Sequence, residues 1–172
     1  GTWTLRITDT TRRQTGELLE WSIAITEASA LHAATLGHQS EAEAPSGTEI
    51  DQTLAAAIDW WIEHGDLTEE EIALLQSVTV ETASLEGTLL ATTSSTTITL
   101  DVDAAGNGWW VDPTPETSEE FASDGSAISP EVAGMDLLSV MIHEIGHILG
   151  EPHSEDGVMQ DTLATENRLI TD

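Results

Sequence analysis

His143, Glu144 and His147 stand in the order His-Glu-x-x-His inside an apolar run from Met135 to Leu149. Residues four apart lie on one helical face, so both imidazoles can reach a single metal ion at about 2.0–2.1 Å. Glu144 is the next residue along, turned by roughly 100° on the helix. It falls out of line with the histidines and can instead approach a water at the metal. That is the chemistry of metal-assisted hydrolysis, with a carboxylate taking the proton. An otherwise apolar helix has little reason to bury two histidines and a glutamate, because buried polar groups cost free energy unless satisfied.

A third ligand must come from beyond the helix. Gly150 follows His147 where a helix can stop and turn through positive φ, and His153 comes after Glu151-Pro152. The whole string, HEIGHILGEPH, fits H-E-x-x-H-x-x-G-x-x-H at every fixed position, and Gly157-Val158-Met159 supplies a downstream methionine turn. The chain thereby resembles the metzincins, zinc-dependent endopeptidases. The resemblance implies zinc held by His143, His147 and His153, Glu144 as general base, and Met159 as a packing floor beneath the histidines. His153-Ser154, the stretch TTITLDVDAAGNGWW and the stretch TLLATTSS resemble the matrixin branch. In that branch TLLATTSS corresponds to the strand along which a peptide substrate lies, which implicates Thr88, Leu89, Leu90, Ala91 and Thr92. The phrases GWWVDPTP and MDLLSVMIHEIGH are similar to matrixin-like modules of large exported bacterial proteins. Astacins and serralysins carry a Tyr two residues after the turn methionine; here that position is Asp161, and the chain has no Tyr.

Those residues need a scaffold, and residues 50–172 read as one α+β domain, a small twisted sheet with the His-bearing helix. Ile50, Leu54, Ala57, Ile58, Trp61 and Ile62 recur at helical spacing, with Thr48 as a cap and Gly65 past the end. His64 in the last turn suits the helix dipole, and Trp60-Trp61 reads as core. A second helix starts at Thr68, where Glu71 completes a capping box and Leu67 can staple onto Ile72. Ser77–Glu81, Thr88–Thr93 and Thr97–Val102 read as strands, rich in Thr, Val and Ile. Asp136 can cap the His-bearing helix. The stretch from Trp109 to Pro130 reads as a long loop in which Asp112, Glu116, Glu119 and Glu120 are solvated charges.

Residues 28–49, rich in Ala, Ser, Glu, Gly and Thr, read as a linker with His32 and His38 exposed on it. Upstream, Thr2–Thr8 and Trp21–Thr26 alternate with period two around a polar loop that ends at Gly16, which predicts a hairpin of a larger sheet. The stretch GTWTLRITDTTRRQTGELLEWSIAIT resembles the closing segment of the P domain of proprotein convertases. That resemblance implies an exported protein, of which this chain is a piece.

The chain has 32 acidic residues against 4 basic, a net charge of −28. Residues 1–27 balance to −1, leaving −27 on residues 28–172. Phosphate neutralisation needs basic residues, so nucleic-acid binding is disfavoured. The surface suits a salt-rich medium or the collection of calcium, for which Asp101, Asp103 and Asn107 are candidates, although Ala105 breaks an EF-hand pattern. With no Cys, disulfides and thiolate ligands are excluded. No apolar run reaches membrane-spanning length. The leading expectation is a zinc endopeptidase acting on proteins or peptides. The competing one is a catalytically silent, zinc-containing binding or adhesion module, against which the intact Glu144 argues. A purely structural zinc site would favour four protein ligands.

Overall fold

The computed structural model describes residues 30–38 and 43–170. The hairpin expected in residues 1–27 lies outside the described residues. Among the described residues, seven strands, three α-helices and one 3₁₀ turn follow in the order β1 (Ala30–Ala33), α1 (Gly47–His64), α2 (Glu69–Leu75), β2 (Thr79–Ala83), β3 (Leu89–Ser94), β4 (Thr97–Asp101), β5 (Trp109–Trp110), β6 (Met135–Asp136), α3 (Leu137–Leu149), the turn Gly157–Met159, and β7 (Thr162–Leu163). The architecture is α+β, as the sequence predicts. Ser46, not Thr48, caps α1: its hydroxyl accepts from the Glu49 amide while Glu49 reaches back to the Ser46 amide. The capping box at Thr68 and Glu71 forms as expected.

Five strands make one sheet in the order β2-β4-β3-β1-β7. Strand β2 runs parallel to β4, and β3 runs antiparallel to both β4 and β1. Strand β7 closes the far side, parallel to β1. The region read as a linker therefore contributes a strand, Ala30–Ala33, lodged between β3 and β7. Its Ala-rich composition hides this, because its strand partners lie distant in sequence. A consequence is that β3 has partners on both sides and is not a free sheet edge. His32, read as exposed, is half-buried and its Nδ1 lies 3.1 Å from the Thr88 hydroxyl.

The core lies between the sheet and α1 and α3, with Leu90, Ile98 and Leu100 of the sheet and Leu137, Met141, Ile142 and Ile145 of α3 fully buried. Burying side chains of this size contributes about 1.5–3 kcal/mol each relative to exposure. Trp61 of α1 packs in this core and donates its indole N–H to the Ile142 carbonyl at 2.8 Å, fixing α1 against the helix that carries the histidines. His64 stacks on Trp60 with ring centroids 4.6 Å apart.

Candidate metal centre

Helix α3 begins where the sequence places its cap. Asp136 accepts from the Ser139 amide and hydroxyl at 3.1 and 2.7 Å. The start of the helix is locked by a group that the sequence reading passed over. Arg168 is buried and places its guanidinium against Asp136 (2.9 and 3.0 Å) and Asp112 (2.7 Å), with Phe121 beneath it at 4.3 Å. Burial opposes the Arg168 charge, but the two carboxylates outweigh it and raise its pKa. Asp112 is thus a buried counter-ion rather than a solvated charge. Glu120 is also partly withdrawn from water, and burial pushes its carboxyl pKa up. Glu116 and Glu119 are exposed as expected.

Along α3, residues 137–146 are all buried, and the exposed face opens only at its last turn. His143 is fully buried there, His147 is half-buried, and His153 lies exposed on the following loop. Gly150 ends the helix at φ 92°, the left-handed conformation that lets the chain fold back and return His153 to the helix. The three side chains converge: His147 Nε2 lies 2.9 Å from His143 Nε2 and 3.1 Å from His153 Nε2.

The outer nitrogens restrict the protonation of that group. His143 Nδ1 faces the Val158 carbonyl at 2.8 Å, and His147 Nδ1 faces the Glu151 carbonyl at 2.9 Å. A carbonyl only accepts, so each Nδ1 carries the proton and each Nε2 presents a lone pair. Two lone pairs cannot hydrogen-bond to one another, and a cation between them resolves the clash. Two nitrogens bound tetrahedrally at zinc distance sit roughly 3.3–3.4 Å apart, close to the spacing seen. His143 is also held neutral: burial, then the neighbouring imidazoles, lower its pKa to about 4 against the pull of the Val158 carbonyl. Burial lowers that of His147 as well. Among the described residues, these three histidines form a group able to hold a metal ion.

Met159 is buried in the 3₁₀ turn and packs on Gly146, the residue before His147. A Cβ at Gly146 would meet Met159 Sδ at 2.4 Å and Trp61 Cζ2 at 3.0 Å, so only glycine lets the floor approach. The same turn delivers the Val158 carbonyl to His143.

A family model for matrixin matches residues 32–171. The chain belongs to the matrixin family. No curated protein matches it. Membership brings zinc metallopeptidase chemistry in general and agrees with the histidine group and the α+β fold of this matrixin. Among its described residues no helix is long and apolar enough to cross a membrane.

Glu144 stands apart from the converging nitrogens. It is buried, with Oε2 accepting from the Thr93 hydroxyl at 2.6 Å and Oε1 from the Leu31 amide at 3.3 Å. Burial drives its pKa up to about 7, more than these two hydrogen bonds lower it. Thr93 and Leu31 escaped the sequence reading because neither type is distinctive in a strand. Of the strand residues singled out, Leu90 and Ala91 are buried, Leu89 and Thr92 half-buried, and Thr88 precedes β3. The matrixin's calcium candidates serve a turn instead. Asp101 accepts from the Leu85 and Ala105 amides, Asp103 from the Gly106 amide, and the Asn107 side chain donates to the Thr35, Ala104 and Ala105 carbonyls. These bonds hold Ala104 and Ala105 at φ 54°, a left-handed conformation that costs on the order of 1–3 kcal/mol per residue without such support. Nothing in this turn supports a calcium ion.

Proposed function

We propose that this matrixin is a zinc endopeptidase in which His143, His147 and His153 hold the metal and Glu144 is the general base. The observation that carries the reading is the convergence of the Nε2 atoms, two of which are forced into the lone-pair tautomer by the carbonyls behind them. Bound zinc supplies a Lewis acid that activates water and polarises the scissile carbonyl. The chain's own residues do the rest. Glu144 accepts the proton of the attacking water and returns it to the leaving nitrogen. A carboxyl pKa near 7 suits both halves of that task at neutral pH. Thr93 donates to Oε2 and leaves Oε1 turned to a peptide amide, the position from which a proton reaches a peptide nitrogen. Met159 holds the floor and Val158 orients His143. Strand β3 carries the backbone groups of residues 88–92, which β1 holds in this structure and which a peptide lying antiparallel to β3 would take in its place. Substrates are proteins or peptides, met outside the cell.

The test is cleavage of an unfolded protein by the purified chain and by Glu144→Ala at matched zinc content. The reading expects cutting by the first only, with the variant slower by about 10²–10⁴-fold. Equal inactivity of both folded, zinc-loaded proteins, on this substrate and on their own chains, brings forward the silent binding module.

A further inference from the structure

Strand β1 occupies the groove in which a substrate would lie. It is antiparallel to β3 on one side, pairing Ala30 with Thr92 and Leu31 with Ala91, and parallel to β7 on the other. The His32 amide donates to the Asp161 carbonyl at 3.0 Å, the Ala33 amide to Thr88 at 2.7 Å, and the Ala34 amide to Leu163 at 2.8 Å. The amides therefore alternate between the two walls, as those of an extended peptide clamped between two strands must. Leu31 is fully buried, and its amide nitrogen is the one that faces Glu144 Oε1. That nitrogen belongs to the Ala30–Leu31 peptide bond. Beyond it the chain is fastened further: the Gly37 amide donates to the Ala105 carbonyl at 2.9 Å, and Gly37 packs so tightly on Gly106 that a Cβ would collide with its carbonyl.

We propose that β1 is the matrixin's own substrate and that the chain cleaves itself between Ala30 and Leu31. The inference rests on the peptidase reading above. Water's oxygen bonds to the Ala30 carbonyl carbon as Glu144 takes its proton. The carbon–nitrogen bond breaks, and the proton passes to the Leu31 nitrogen. The products are a carboxylate on Ala30 and an ammonium on Leu31, whose nitrogen ends with both protons of the water, and no other reactant is needed. Residues 1–30 leave. Residues 31–37 keep their bonds to β3, β7 and the 104–107 turn, so the new terminus stays in the groove and slows cutting of other substrates.

The experiment is intact mass and N-terminal sequencing of the 172-residue chain, alongside Glu144→Ala, both zinc-loaded. The expected result is a wild-type chain that begins at Leu31, formed at a rate independent of protein concentration, and a variant that keeps residues 1–30. A wild type that digests an added unfolded protein yet keeps the Ala30–Leu31 bond overturns self-cleavage while the peptidase reading stands. Cleavage confined to another bond overturns the assignment in the same way. Folded, zinc-loaded chains that cut neither themselves nor the added protein overturn both. A readout independent of activity is hydrogen exchange in Glu144→Ala. The His32, Ala33 and Ala34 amides should exchange more slowly than exposed loop amides; exchange as fast as those would remove β1 from the groove.

Discussion

At the start of α3, Arg168 meets Asp112 and Asp136 at 2.7 and 2.9 Å, and Ser139 and Leu169 complete the set. Toward its end, His147 Nε2 lies 2.9 Å from His143 Nε2 and 3.1 Å from His153 Nε2, and His143 and His147 are fixed in the lone-pair form. Both clusters gather at the ends of one 13-residue helix, and both set polar groups into its surroundings. The first is closed: one guanidinium meets both carboxylates, and the set ties the C-terminal segment and the long loop to the helix cap. The second is open: it is built of imidazole nitrogens alone, and His143 and His147 turn lone pairs toward one spot that a cation can share. A closed polar cluster stabilises a structure, whereas an open one is a binding site. Breaking each should therefore fail in a different currency.

The largest effect is expected at the open end. His147→Ala should lower zinc affinity more than about a hundredfold, since even partners behind a ligand are worth 10–100-fold. Zinc titration with a competing chelator measures it, and circular dichroism should show the fold retained. Unchanged affinity would remove His147 from the ligand set. At the closed end, Arg168→Met should leave both carboxylates buried without a cation and cost about 3–5 kcal/mol, read by urea unfolding. A loss below about 1 kcal/mol would mean that Asp112 and Asp136 reach water. If the comparison holds, this variant keeps its zinc affinity when assayed well below its unfolding midpoint.

Glu144 sharpens the contrast because it is buried without a cation. Its folded pKa is raised from 4.5 to about 7, so the unfolded chain ionises first as pH rises. The penalty for burying the charge is absent below pH 4.5, grows up to about pH 7, and is complete above. The shift corresponds to on the order of 3 kcal/mol. Metal-free Glu144→Gln should thus be more stable than metal-free wild type at pH 8, with the gap closing by about pH 4.5 in thermal melts. A gap independent of pH would show that Glu144 is not buried as a charge. The smallest effect is expected at Gly146→Ala. Crowding Met159 and Trp61 costs about 1–3 kcal/mol, and the gain in helix propensity offsets about 1 kcal/mol of it. A net gain in stability would show that Met159 can move without consequence.

Much of the centre was legible in the residues. His143 and His147 are spaced for one helical face, Gly150 stops the helix, and His153 follows at once, so local geometry alone brings them together. Asp136, Thr68 and Gly65 marked helix ends for the same local reason. Strand β1 was illegible: Ala-Leu-His-Ala carries no period that distinguishes a strand from a linker, and its pairing with residues 88–92 and 162–163 is long-range. Arg168 was illegible too, since the one arginine among the acidic residues 28–172 reads as surface until its partners, 32 and 56 residues away, are seen.

The sequence by itself determined the converging histidine group and the helix that carries it, and singled out Glu144 as the proposed base, because those depend on spacing within a few turns of chain. Only the tertiary structure decided which groups Glu144 faces, what fills the groove beside it, and what anchors the start of α3. Those contacts join segments more than a hundred residues apart in the case of Leu31 and Glu144. Burial and strand pairing select them, and neither leaves a mark in local sequence.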